Sequence, residues 1–207
     1  MNLGLVTSYV VAGILLIAIL AMNMSLSSSS TELTLTQMTQ EKASGVRETI
    51  SHDFQKIGYN RSGKTDPILV AGYSDEIQFR ANIDNSDDKS VELVTWRLTS
   101  NEVSNTKNPS DVVLMRKVKD LNSGAETKTP IKLGVTDFNI KYLNVYGDTV
   151  SNHMSTPLSS SQLEDVKQLY VTLELQSSVK TYQQTGDGRY IRSIWKKRFS
   201  PPNLESN

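Results

Sequence analysis

The chain contains no cysteine. No disulfide can brace it and no thiol can act as a nucleophile. A structural metal site of the His/Cys type is out of reach, because His52 and His153 are the only two histidines. Charge of either sign is not in excess, with 22 Lys and Arg against 22 Asp and Glu, so no global field favours nucleic acid or an anionic membrane. Motifs that carry chemistry are missing too: there is no glycine-rich phosphate loop, no G-x-S-x-G elbow and no H-E-x-x-H. These absences predict no enzyme, no cofactor and no small-molecule substrate. One more absence points somewhere: no charged side chain precedes Glu32.

What stands there instead is an apolar run from Leu3 to Met22, broken only by Gly4, Thr7, Ser8 and Gly13. As a helix it spans about 30 Å, the thickness of a bilayer hydrocarbon core. It is longer than the apolar part of a cleaved secretory signal and lacks a basic head, although small residues at Ser25 and Ser27 offer a cleavage site. A retained transmembrane helix fits the length better, and the uncharged head favours an inside amino terminus with the bulk exported. From Leu33 to Ile57 the pattern becomes amphipathic. Val46, Ile50, Phe54 and Ile57 draw one stripe at helical spacing, and Glu41, Lys42, Arg47, Glu48, Asp53 and Lys56 read largely off it. Gly58 is a natural stop. The Ser-rich patch Ser25 to Thr31 contains neither Pro nor Gly and reads either as a softer part of one long helix or as a linker. If the helix is continuous it is a rod of roughly 80 Å; the alternative is a membrane anchor followed by an ordinary core helix.

Beyond Tyr59 the period changes to two. Ile77/Phe79, Val94/Trp96/Leu98, Phe138/Ile140/Tyr142, Leu169/Val171/Leu173/Leu175 and Ile191/Trp195/Phe199 each mark one face of a strand, and Val112 to Met115 is a short apolar run. Turn-rich stretches separate them at Asp84 to Lys89, Asn101 to Ser110, Asn122 to Pro130 and Gly147 to Ser161. Thr185 to Gly188 forms a hairpin signal. Gln162 to Gln168 reads as a helical turn or a strand lead-in. One polar face per strand predicts antiparallel sheets packed on the helical stripe. The expected organisation is a transmembrane segment 1–24, an amphipathic extension 25–58 and an exported antiparallel β domain 59–207, an α+β arrangement.

Few side chains suggest a site. Asp84, Asp87 and Asp88 place three carboxylates in five residues; they offer oxygen ligands to Ca²⁺, but a solvated turn is the favoured reading because EF-hand spacing is absent. His52 stands beside Asp53 on the helix, and His153 in a polar loop. Arg189, Arg192, Lys196, Lys197 and Arg198, interleaved with Tyr190 and Trp195, read first as a solvated β face. A contact with an acidic neighbour or DNA is second.

The order of these features resembles a known family. The run His52-Asp53-Phe54-Gln55-Lys56-Ile57-Gly58-Tyr59 is similar to the R-D-L-x-x-A-G-Y close of the long helix in W-type minor type IV pilins and J-type minor pseudopilins of type II secretion. Asp75 to Phe79 resembles the family's first strand, Val94 to Leu98 its V-x-Y-x-L strand, and Leu114 to Arg116 its L-x-R strand. Val135 to Tyr142 followed by Gly147 resembles V-x-x-F-x-F-x-Y…G, and Val166 to Leu175 the strand after it. The resemblance implies a pilin-like fold and a bacterial cytoplasmic-membrane protein, single-pass, that is stored in the bilayer. Such a protein assembles with other pilin-like subunits through its amino-terminal helix, into a filament or tip complex for adhesion, DNA uptake or secretion. It also implies leader processing, for which Gly4-Leu5 is the candidate site. Tyr9 then stands where the family carries Glu, and the leader has no basic residue, a departure that suits a minor subunit. The helix-docking role falls on Val46, Ile50, Phe54 and Ile57. The other expectation is a stand-alone, membrane-anchored β-domain binding module on the cell envelope.

Overall fold

No proline interrupts the chain before Pro67. In the computed structural model, which describes residues 3–60, 66–85, 91–150, 157–181 and 188–205, α1 (Leu3–Gln55) runs unbroken, a rod of about 80 Å. The Ser-rich patch is helical throughout. At its end and just beyond, threonine hydroxyls fold back on the helix, Thr31 Oγ1 donating to the Ser27 carbonyl at 2.9 Å and Thr34 Oγ1 to that of Ser30 at 3.0 Å. Such bonds let small polar residues stay helical in the absence of other partners. The rod ends at Gly58, whose φ of +73° an L side chain rarely adopts, and where a Cβ would lie 2.8 Å from that of Asn203.

The fold is α+β: the long helix packs on two antiparallel sheets. The first sheet has the order β1 (Leu69–Gly72), β2 (Glu76–Ala81), β3 (Glu92–Glu102), β4 (Val112–Asp120), β5 (Glu126–Ile131). The second has the order β6 (Val135–Leu143), β7 (Gln168–Thr181), β8 (Arg189–Phe199). A short helix α2 (Ser160–Asp165) precedes β7, started by a capping box between Ser159 and Gln162. A final turn, α3 (Pro202–Glu205), follows β8. The segment 162–168 is therefore the end of α2 and the entry to β7.

Two expectations need correction. Asn122 to Pro130 is not all turn, because β5 occupies Glu126–Ile131. That strand lies at the edge of its sheet with mostly exposed side chains, so it carries none of the apolar alternation that marks a half-buried strand. Asp75 to Phe79 is not in the first strand either. The four-residue β1 precedes it and is too short for a period to show. The Thr185–Asp187 part of the hairpin signal lies outside the described residues; the strands on either side do pair antiparallel, Thr181 opposite Arg189.

α1 lies along β7 and β8. Glu32 meets Arg189 near one end, and Ser51 meets Lys197 towards the other, so β8 runs in the same direction as the helix beside it. The core lies between. Ala43, Val46, Ile50 and Phe54 from the helix are buried with Phe79 and Trp96 of the first sheet and Phe138, Ile140, Leu169, Val171 and Leu173 of the second. Phe54 joins all three layers, its ring 5.8 Å from Phe79 on β2 and 5.3 Å from Phe199 on β8. Each such side chain taken from water contributes about 1.5–3 kcal/mol. The sheets are also tied by Tyr142 of β6, whose hydroxyl lies 2.9 Å from the Tyr73 carbonyl oxygen and 3.0 Å from that of Glu76; burial pushes this phenol well above its ordinary pKa.

Close approach of β6 to β7 sets one strict requirement. Gly134 has φ +92°, and a Cβ there would fall 2.3 Å from the Gln176 carbonyl oxygen. Its own carbonyl accepts from Gln176 N at 2.8 Å. Gly134→Ala combines backbone strain with a backbone collision and should cost upwards of about 2 kcal/mol in a urea unfolding titration.

Candidate functional site

The helix ends in the core on a charge. Asp53, in the last turn of α1, has no solvent exposure. Trp96 Nε1 donates to its Oδ2 at 2.9 Å, Arg116 Nε to the same oxygen at 2.6 Å, and Arg116 Nη2 to Oδ1 at 2.9 Å. Trp96 and Arg116 are cross-strand partners of β3 and β4, so both donors rise from one face of the first sheet. The expected placement of Asp53 off the apolar stripe is corrected here. It lies three residues after Ile50 and four before Ile57, which is stripe spacing, and it is buried because it is bidentately paired. His52 stays exposed, with Nδ1 3.3 Å from Asp53 Oδ1. Lys56 closes the same corner, donating to the Ile83 carbonyl at 2.6 Å and to Asn85 Oδ1 at 3.1 Å. A carboxylate at a helix carboxyl end opposes the helix dipole, and these cations offset it.

The other end of α1 is the opposite case. Residues 4–27 are exposed, about 36 Å of helix. The helix is long and apolar enough to cross a membrane, and none of its apolar window is buried. Near its start Thr7 Oγ1 and Ser8 Oγ are satisfied within the helix, both donating to the Gly4 carbonyl at 2.9 Å. A segment with no charge and self-bonded hydroxyls suits an environment without water. The structure places Gly4, Leu5 and Tyr9 on this exposed arm, and Val46, Ile50, Phe54 and Ile57 in the buried core.

Cations of β8 divide along the strand. Arg189 pairs with Glu32 of the helix at 2.8 Å. Arg192 pairs with Glu174, holding that carboxyl below the usual range. Lys197 turns inward over the Phe199 ring and towards Ser51. Lys196 and Arg198 are exposed on the outer face.

Metal chemistry finds no foothold among the described residues, where no group of three His, Cys, Asp or Glu side chains is placed to hold an ion. Asp84 is exposed; Asp87 and Asp88, like His153, lie outside the described residues. A cavity of about 190 Å³ beside Lys42, Thr106, Asp111 and Lys132 holds a buried carboxyl, Asp111, which desolvation raises above its ordinary pKa. A larger groove of about 690 Å³ runs between β1 and α2.

Sequence reasoning missed the Asp53–Arg116–Trp96 cluster and the Glu32–Arg189 pair. The first has a spacing signature on the helix. The second joins residues 157 positions apart and has none.

No family model matches the chain, and no curated protein matches its sequence. Among solved structures, a type IV-like pilin from Thermus thermophilus is similar at a TM-score of 0.49 and 14% identity, over 80% of this chain and 96% of that one.

Two measurements check the geometry. Asp53→Ala leaves Arg116 buried and unpaired and should lower unfolding free energy by about 3–5 kcal/mol. The Glu174–Arg192 pair is partly exposed and should be worth no more than about 1 kcal/mol. Because the folded carboxyl is depressed, that contribution is complete above the ordinary glutamate pKa of about 4.3 and is lost as pH falls through the lower folded value. Glu174→Gln should therefore be destabilised relative to the parent at pH 7, and the difference should shrink as acidity rises below about pH 4.3.

Proposed function

We propose that this chain is a structural subunit of the pilin-like class, of the minor type. It would be held in the bacterial cytoplasmic membrane by its amino-terminal helix, with the β domain exported, and would assemble through that helix with other pilin-like subunits. One observation supports this reading above the rest: an uncharged helical arm, wholly exposed, continues without a break into a helix built into the core of a β domain. A plain tether would need no such rigidity, and a flexible linker after the membrane segment would serve it as well. A rod that is fixed at one end and apolar at the other transmits the position of the arm to the domain.

The mechanism is exchange of surroundings. In the bilayer the arm contacts lipid tails; in an assembly the same Leu, Ile and Val side chains contact like helices. The arm carries no charge to be stripped of water, which would cost several kcal/mol or more in lipid. Tyr9 at the position where pilins carry Glu removes the usual charge pairing, so the register between neighbouring helices must come from elsewhere. Leader processing between Gly4 and Leu5 belongs to the same reading.

Cysteine introduced at single positions from Leu5 to Leu20 tests it, since the natural sequence has no cysteine to interfere. Oxidation in native membranes should give disulfide-linked species containing other pilin-like subunits, spaced along one helical face. Exclusive recovery of the monomer at every position would refute the assembly role. The anchored binding module would then stand, and deleting residues 1–24 would leave its ligand affinity intact. Intact mass of the mature protein reads the processing step.

A further inference from the structure

One end of the outward face of the second sheet is basic and the outer face of α1 is acidic, whereas the other end of that sheet face sets Asp137 and Glu174 beside Arg192. On the second sheet the inward side chains of β7 and β8 are Leu169, Val171, Leu173, Trp195 and Phe199, which meet the core and the helix. The outward row holds Lys141, Tyr170 and Arg198, opposite one another across β6, β7 and β8, with Lys196 two residues along. Lys141, Lys196 and Arg198 are exposed and make no ion pair among the described residues. This sets them apart from Arg189 and Arg192, which are paired within the chain. Two strand spacings put Lys141 and Arg198 about 9.6 Å apart.

The far side of the molecule is the outer face of α1. Glu41 and Glu48 stand two turns apart on it, both exposed and without an ion pair among the described residues. They point away from the Val46–Ile50 stripe, and about 10.5 Å of helix axis separates them. Gly45 lies between them with open space where a Cβ would be, so a neighbouring surface can approach the backbone closely there. Helix, sheet and basic row are stacked in that order, so the acidic and basic faces look in opposite directions. Their charge spacings are of one size.

We propose that the basic outer face of the three-stranded sheet docks on the acidic outer face of α1 in a second copy of this chain. The inference rests on the assembly reading and adds the surface that sets its register. A contact between two different faces is heterologous and leaves one face of each kind open at the ends, where other pilin-like subunits can continue the row. Exposed ion pairs are individually weak and screened by salt. The contact therefore depends on the arms, which confine copies to one membrane and raise their effective concentration.

The test uses two differently tagged full-length chains co-expressed in one membrane. One carries Ser44→Cys, at an exposed position of the helix between the two glutamates. The other carries Thr172→Cys on the outer sheet face, and a short bis-maleimide crosslinker joins the two. The mixed dimer should exceed either like pair at least tenfold. Lys196→Glu with Arg198→Glu on the sheet partner should reduce it at least tenfold, and Glu41→Lys with Glu48→Lys on the helix partner should restore it. Equal yields from like pairs, or no rescue by the reversed partner, would overturn the proposal. Unchanged crosslinking together with loss of a single-stranded oligonucleotide's binding in the same variant would also overturn it, reassigning the face to nucleic acid. Disulfides through Leu5–Leu20 in the same membranes separate the outcomes. Arms that crosslink while the faces do not would sink this contact alone, whereas silence at both would sink the assembly reading as well.

Discussion

A carboxylate in the core at the end of a helix needs partners or it will not stay there. Asp53 has them: two nitrogens of Arg116 and the indole of Trp96, all within 3 Å of its oxygens. Burial of such a pair adds little net stability over an apolar replacement, since desolvating two ions offsets most of their attraction. What it adds is position. An apolar stripe can slide or rotate by part of a turn and still bury most of its area, whereas a bidentate pair holds at one distance and one orientation. The Asp53–Arg116 pair fixes the helix to the first sheet, and Phe54, next along, wedges between Phe79 and Phe199. Rotation of the rod about its axis is thereby set, and with it the direction in which every residue of the arm faces.

The other polar contacts along the rod repeat that logic at lower strength. Glu32–Arg189 is half exposed and contributes little to stability, yet it pins the helix to the start of β8, and Lys197 reaches Ser51 near the strand's end. Between these points β8 and α1 stay parallel. A chain without disulfides has few other ways to hold an elongated helix in register with a sheet. Charge along β8 is used economically: Arg189 and Lys197 engage the helix and Arg192 engages β7, while Lys196 and Arg198 face outward.

Much of the fold was legible because period and burial coincide. Leu169, Val171, Leu173 and Leu175 alternate without exception and all lie in the core, and the same holds for Phe138, Ile140 and Tyr142. Where burial and period part company the sequence says less. β5 is an exposed edge strand, so its Glu, Lys and Thr residues look like loop. β1 is four residues long, below the length at which alternation differs from chance. The buried cluster was hidden for a different reason. Asp53 sits at stripe spacing, but a carboxylate in a stripe reads as surface until its donors are known, and those donors are 43 and 63 residues away. The Ser-rich patch stayed ambiguous because serine competes for the backbone in helices and loops alike. The back-bonds from Thr31 and Thr34 resolve it.

The two halves of α1 meet their surroundings in different ways, and that division constrains what the protein can do. Below Glu32 the hydroxyls of Thr7, Ser8 and Thr31 bond within the helix, and the apolar side chains around them are exposed. Above Glu32 the helix is committed, through Phe54, Asp53 and Arg116, to one domain in one orientation. The arm presents no charged side chain to its surroundings. Charged side chains are carried by the upper helix and the β domain. Among these, Lys141 and Arg198 of the outward sheet face and Glu41 and Glu48 of the helix are exposed and make no ion pair among the described residues.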